Sequence, residues 1–182
     1  MGAATRTRPD PADVTLRPWS ADDLWLLERL MGDPLMTAHL GGPETPEKIR
    51  RRHADYAMTG KAGTGAMFVI EVGTAGEAAG SVGYWPGEWR SETIWEVGWS
   101  VLPEFQGRGI ATQATTLVVA RARSEGLRRS IHAFPSIENA ASNAICRKAG
   151  FRLLGEYDFE YPRGSFMRCN DWLLDGVSPG QA

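Results

Sequence analysis

Apolar and polar residues alternate along "VTLRPW" (Val14 to Trp19), the two-residue period of a strand with one buried face. Ser20 then offers a helix N-cap, and Asp22 and Asp23 place negative charge in the first turn, where the helix dipole favours it. Thr45-Pro46-Glu47, a cap followed by proline at the first helical position, predicts a second helix to about Met58. Between the two helices, "HLGGPET" reads as a turn-rich loop. The runs "MFVIEV" (Met67 to Val72), "GSVGYW" (Gly80 to Trp85) and "TIWEVGWSVL" (Thr93 to Leu102) predict three strands of an antiparallel meander. Their expected connections are the loops "GTAGEAA" and "PGEWRSE".

After Gly109 the period changes. Ile110, Ala114, Leu117 and Val118 fall at i, i+4, i+7 and i+8, one face of a helix that Gly126 ends. "SIHAF" (Ser130 to Phe134) predicts another strand, and Asn139 caps a short helix through Lys148 with Gly150 just past its end. "FRLLGEYDFEY" and "SFMRCNDWLL" flank the turn Pro162-Arg163-Gly164 as two last strands. The pattern predicts an α+β fold with a mixed, mostly antiparallel sheet and helices on both faces. Residues 13–174 form the expected single domain, between tails at 1–12 and 175–182.

Composition narrows the partners. Of the 182 residues, 42% are hydrophobic and 23% charged, and the net charge is -2, so no global field draws the chain onto nucleic acid or an anionic membrane. Arg50-Arg51-Arg52 and Arg128-Arg129 read as solvated helix faces or ends. No stretch approaches the ~20 apolar residues of a membrane span, and the opening "MGAATRTRPDPAD" lacks the apolar core of a signal peptide. Cys146 and Cys169 have no CxxC spacing, and His39, His53 and His132 no metal-ligand spacing. A reduced, cytoplasmic, metal-free domain is expected, monomeric or homodimeric.

The candidate chemistry centres on "VLPEFQGRGIATQA" (Val101 to Ala114). Gly107 and Gly109 permit positive φ and a close backbone approach, and the helix opening at about Ile110 begins with N–H groups that have no partner inside it. Together they make a nest of donors suited to phosphate or pyrophosphate; the same residues also suit a tight strand-to-helix turn that holds nothing. A P-loop is excluded because no GK[ST] follows, and the dinucleotide fingerprint lacks its third glycine.

Gln106-x-x-Gly109-x-Ala111, between a strand and a helix, resembles the Q/R-x-x-G-x-G/A signature of the GNAT superfamily of acyl-CoA N-acyltransferases. "NAASNAICRKAGF" (Asn139 to Phe151) is similar to that superfamily's second cofactor segment. "EVGWSVLPEFQGRGIATQA" and the Asn139-x-x-Ser142 pair look most like the branch with the RimJ/RimL ribosomal-protein acetyltransferases and many antibiotic-modifying relatives. The resemblance implies a GNAT-like three-layer fold and acetyl-CoA as acyl donor. It implies that the turn amides of Gly107, Arg108, Gly109, Ile110, Ala111 and Thr112, with Gln106, hold the coenzyme A pyrophosphate. It also implies that free backbone groups of Ser100, Val101 and Leu102 pair with pantetheine, that Asn139 reaches a pantetheine amide, and that Ser142 lies near the sulfur.

Transfer to an amine requires removal of a proton, because a lysine-like amine has a pKa of about 10.4. In "TIWEVGWSV", Glu96, Gly98 and Ser100 share one face, so Glu96 interrupts a strand expected to be buried. The resemblance implies a general base there; an arginine-paired structural glutamate is the competing reading, and Glu160 is a second candidate base. Relatives place a tyrosine, as acid for the leaving thiolate, where this chain has Cys146. Cys146 is either a donor or a core residue, and Ser142 is the alternative acid.

The implied reaction is direct attack of a primary amine, from a small molecule or a protein N-terminus, on acetyl-CoA in a ternary complex. The other class left open is a non-catalytic acyl-CoA-binding sensor or partner-binding module. The segments "HLGGPET", "YWPGEWRSE" and "EYDFEYPRG", which together carry Trp85, Glu88, Trp89, Glu92, Glu156, Asp158 and Glu160, are expected to line the acceptor side, where aromatic and acidic groups suit a cationic amine.

Overall fold

A computed structural model of the protein describes residues 14–61, 63–125, 130–160 and 164–175. The tail at 1–12, Gly126, the Arg128-Arg129 pair, Pro162-Arg163 and the end of the chain from 176 therefore lie outside the described residues.

The strands are β1 (Val14–Pro18), β2 (Ala66–Val72), β3 (Glu77–Trp89), β4 (Glu92–Val101), β5 (Ile131–Ala133), β6 (Arg152–Glu160) and β7 (Phe166–Leu174). The helices are α1 (Leu24–Met31), α2 (Pro46–Ala57), α3 (Ile110–Ser124) and α4 (Ala140–Lys148). Among the described residues, one sheet of seven strands runs in the order β1-β2-β3-β4-β5-β7-β6. Only β4 and β5 pair in parallel; the other neighbours are antiparallel. This is the mixed, mostly antiparallel α+β arrangement expected from the sequence.

The caps act locally as their residue types require. Ser20 opens a short 3-10 turn at Ala21–Asp23 and shares a capping box with Asp23, whose carboxylate accepts the Ser20 amide at 2.7 Å. Asp23 is buried and also holds Arg17 at 2.7 Å, which ties the start of α1 to β1. Thr45 caps α2 with Pro46 at its first position. Leu26, Leu27, Leu30 and Met31 form the buried stripe of α1. In β2, Val69 and Ile70 are both fully buried although they point to opposite faces, so both faces of the sheet are covered.

Tyr84 and Trp85 mark those faces. Tyr84 stacks edge-on against Trp95 and donates to Glu125 at the end of α3, which packs on β1, β3 and β4. Trp85 points the other way, into a cleft that Arg52 and Tyr56 of α2 also line.

Both meander connections are shorter than expected: the first turns only over residues 73–76, because β3 already starts at Glu77. "PGEWRSE" is not a loop: β3 continues through Pro86 and Gly87 to Trp89, and only Arg90 and Ser91 turn, with φ of 51° and 64°. A two-residue turn with both φ positive matches strand twist. Pro86 is tolerated because its register partner on β4 is Trp95, while β2 ends opposite Tyr84, so no neighbour on that edge needs the missing N–H.

Candidate active site

The site grows from a fork in the sheet. β4 and β5 pair at only two positions, Trp95 with Ile131 and Glu96 with His132. Beyond them the chain after β5 follows β7: the Asn170 amide donates to Pro135 O (2.9 Å) and the Ile137 amide to Arg168 O (3.1 Å). β4 keeps its unbroken register with β3, so the two strands part at Glu96.

Hydrogen-bond parity decides which β4 groups face the gap. The Leu102 amide donates to Ala79 O on β3 (2.8 Å), whereas the Trp95 amide donates to Ser130 O beside β5 (2.9 Å). In an antiparallel ladder the direction alternates along the strand. Ser100 and Leu102 therefore spend their backbone groups on β3, and Val97, Trp99 and Val101 present theirs to the gap. Val101 O takes the side-chain amide of Gln106 at 2.8 Å, which pins the turn to the end of the strand. Of the expected trio only Val101 has the right parity, and Val97 and Trp99 were missed although strand parity was the available signal.

At the far end lies the glycine turn. Gly107 (φ 72°) and Gly109 (φ 77°) are left-handed, and Gly109 is the N-cap of α3. A Cβ at either position would meet no atom within 4 Å, so conformation, not crowding, calls for glycine there, and the space before the amides is open. Gln113 is the first amide to close onto the helix, at Gly109 O (3.1 Å). Those of Ile110, Ala111 and Thr112 lie ahead of the ladder, at the positive end of the dipole. The arrangement fits a pyrophosphate.

Fork and turn open into one cleft of about 710 Å³. Glu96, Ser100, Val101, Gln106, Gly107 and Gly109 line it, as do Ile110, Ala111, Thr112, Asn139 and Ser142. Two expected residues do not. Leu102 is buried in the core, and the Arg108 guanidinium turns back to Glu104 O (3.4 Å) and the Phe105 ring. Asn139 Oδ1 accepts the Ser142 amide at 2.9 Å, capping α4 so that both side chains sit at the cleft wall.

Glu96 stands where the strands part, beside the Trp85 ring that covers Gly98; a Cβ on Gly98 would lie 2.7 Å from that ring. Burial pushes the Glu96 carboxyl up from its usual 4.5 to about 7, against a hydrogen bond with the Trp85 side chain and the charge of His132. No arginine pairs with it among the described ion pairs. Glu160 is exposed, accepts the Gly164 amide at 2.9 Å and lies outside the cleft. Cys146 is fully buried, its thiol pushed up to about 12 by burial, and does not line the cleft. The cysteine is a core residue, and Ser142 is the hydroxyl at the wall.

The acceptor side differs from expectation. Trp85 lines the cleft, but Glu88 does not, Trp89 and Glu92 line a second cavity, and Glu156 and Asp158 are exposed partners of Arg168. The "HLGGPET" loop contributes His39 and Leu40 as expected, and Met31, Leu35, Met36, Arg52 and Tyr56 join them from the surrounding α1–α2 region. Edge strand β6 spends its acids on its own hairpin, so chain position did not carry them to the cleft.

Sequence reasoning also missed Asn143, which is buried and fully satisfied. Its Nδ2 donates to Ser136 O (2.9 Å) and Asn139 O (2.8 Å), and its Oδ1 accepts from Asn170 (2.7 Å) and Trp172 (2.8 Å). It fastens α4 to β7 and so fixes where Asn139 and Ser142 stand.

Residues 13–152 match the family model described as an acetyltransferase (GNAT) domain. The chain belongs to the GNAT acetyltransferase family. No curated protein matches the chain. Solved GNAT-type structures resemble it closely in fold. An acetyltransferase from Agrobacterium tumefaciens str. C58 is 22% identical with a TM-score of 0.72, over 96% of each chain. Spermidine N-acetyltransferase from Vibrio cholerae, in complex with CoA and spermine, is 17% identical with a TM-score of 0.74, over 91% of this chain and 96% of that one. RimL, a ribosomal L7/L12 alpha-N-protein acetyltransferase in complex with coenzyme A, is 21% identical with a TM-score of 0.73, over 90% and 94%. In this GNAT chain no helix of the described residues is long and apolar enough to cross a membrane.

Proposed function

We propose that this GNAT protein is a cytoplasmic N-acetyltransferase that moves the acetyl group of acetyl-CoA to a primary amine, on a small molecule or a protein N-terminus. The observation that carries the reading is one continuous cleft with a donor nest at one end and a partly buried carboxyl at the fork. Acetyl-CoA supplies the thioester. The amides of Ile110, Ala111 and Thr112 hold its pyrophosphate, and the gap-facing groups of Val97, Trp99 and Val101 pair with pantetheine as an added strand would. Asn139 keeps its Nδ2 for a pantetheine carbonyl.

Glu96 then takes the amine proton, directly or through one water, and its raised proton affinity suits a base near neutral pH. The Ser142 hydroxyl is positioned to give a proton to the departing sulfur. Direct attack is favoured because Cys146, buried away from the cleft, offers no nucleophile for an acyl-enzyme. Amines incubated with acetyl-CoA test this: thiol release that requires both protein and amine supports the reading. Coenzyme A binding with no turnover on any amine supports a binding module instead.

A further inference from the structure

The second cavity, of about 280 Å³, lies on the far side of the pair at which β4 and β5 separate. Glu96 lines the active cleft and its partner His132 lines this other cavity. His132 is 5% exposed, and its Nδ1 lies 2.6 Å from Oδ1 of Asp171, which is fully buried on β7. The other carboxylate oxygen of Asp171 accepts the Trp89 indole N–H at 2.9 Å. Phe134 stacks on the imidazole at 5.7 Å, which fixes the ring plane. With Nδ1 held by Asp171 Oδ1, Nε2 is the ring atom left for a second partner. β5 lies between β7 and β4, so the neighbour on the other side of His132 is Glu96.

We propose that the His132–Asp171 pair is a positioning and proton-relay device for Glu96, carrying the proton taken from the amine out of the closed cleft into the second cavity. This rests on the reading of Glu96 as the base. The ternary complex covers Glu96 on the cleft side, and the carboxyl must lose its proton before the next turnover. In the step, Glu96 O–H gives its proton to His132 Nε2, regenerating the carboxylate. Asp171 stabilises the imidazolium, and the proton passes to solvent in the second cavity. No electrons move, and no other reactant is needed.

The groups facing this chain of residues come from every neighbouring strand. Trp85 and Trp89 come from β3, and Glu92 from β4. Cys169, which feels the charge of Glu96, comes from β7. Arg90 and Asp175 sit at the second cavity, and His39 and Arg52 at the cleft. A charge on His132 favours ionised Glu96, so removing it moves the acid limb of the rate profile to higher pH.

The experiment compares Glu96→Gln, Asp171→Asn and His132→Ala in amine-dependent turnover across pH, with added imidazole. We expect Asp171→Asn and His132→Ala to lower kcat about tenfold or more at neutral pH, with the KM for acetyl-CoA little changed. Both acid limbs should move to higher pH, and imidazole entering the second cavity should restore kcat to His132→Ala but not to Glu96→Gln. Asp171→Asn keeps size and shape, so a fold defect in His132→Ala leaves one arm intact. A uniform rate loss with the acid limb unmoved and no imidazole rescue overturns the relay. If Glu96→Gln alone keeps full kcat, the reading of Glu96 as base has failed instead.

Discussion

Replacing Glu96 by glutamine should make the protein more stable and less active, and pH should separate the two effects. The carboxyl moves from its usual 4.5 to about 7 in the fold because burial disfavours its charged form. A difference of that size corresponds to roughly 3 kcal/mol. The carboxyl reaches the cleft and solvent softens the penalty, so about 2 kcal/mol is the working figure. The folded value lies above the unfolded one, so the contribution of Glu96 is most favourable below pH 4.5 and is lost as pH rises to about 7. Glutamine does not ionise. In denaturant unfolding, Glu96→Gln should therefore gain on the parent chain between pH 5 and pH 8 and hold a constant advantage above that. At pH 8 the gain corresponds to roughly 4–8 °C in melting temperature. In turnover, kcat should fall ~10²–10⁴-fold near pH 7 and recover toward the parent value only as pH approaches the amine's own pKa, about 10. A stability difference that stays flat between pH 5 and pH 8, or a kcat near the parent value throughout, refutes the burial argument and the base role respectively.

Three further substitutions probe the cofactor end. Gly109→Val puts a β-branched residue at φ 77° and should weaken acetyl-CoA binding at least tenfold, about 1.4 kcal/mol, in calorimetry; unchanged affinity in a folded variant removes the nest. Asn139→Ala should raise the KM for acetyl-CoA more than it lowers kcat, with about 1 kcal/mol of stability lost with the cap; an unaffected KM leaves Asn139 a cap alone. Asn143→Ala strands the buried Trp172 donor and the half-buried Asn170 donor, and should cost about 2 kcal/mol in chemical unfolding; a cost below ~1 kcal/mol contradicts the fastening role.

Much of the architecture was legible because its signals are local. Ser20, Thr45 and Asn139 are caps whose side chains bond amides two or three residues on, and Gly107 and Gly109 need only their own φ. Gln106-x-x-Gly109-x-Ala111 pointed to the turn for the same reason. What was not legible depends on pairing across the sheet. Pro86 made the end of β3 beyond Trp85 read as a loop, and only the early end of β2 explains why a proline is harmless there. The parity of Val97 and Trp99 needed the Leu102 bond to Ala79. His132 and Asp171 are 39 residues apart and meet only because β5 lies beside β7. The acidic residues of β6 looked like an acceptor surface because chain proximity says nothing about which edge of a sheet meets a cleft.

The measurement closest to the central claim is amine-dependent thiol release from acetyl-CoA, read together with the mass of the amine product. Spermine, an aminoglycoside, simple aliphatic and aromatic monoamines, and a short peptide with a free N-terminus make up the panel. The expected result is that at least one amine gains one acetyl group per thiol released, at a rate that rises through an acid limb near pH 7 and collapses in Glu96→Gln. Tight acetyl-CoA binding with no acetylated product from any of these amines, at any pH from 6 to 9, would contradict it.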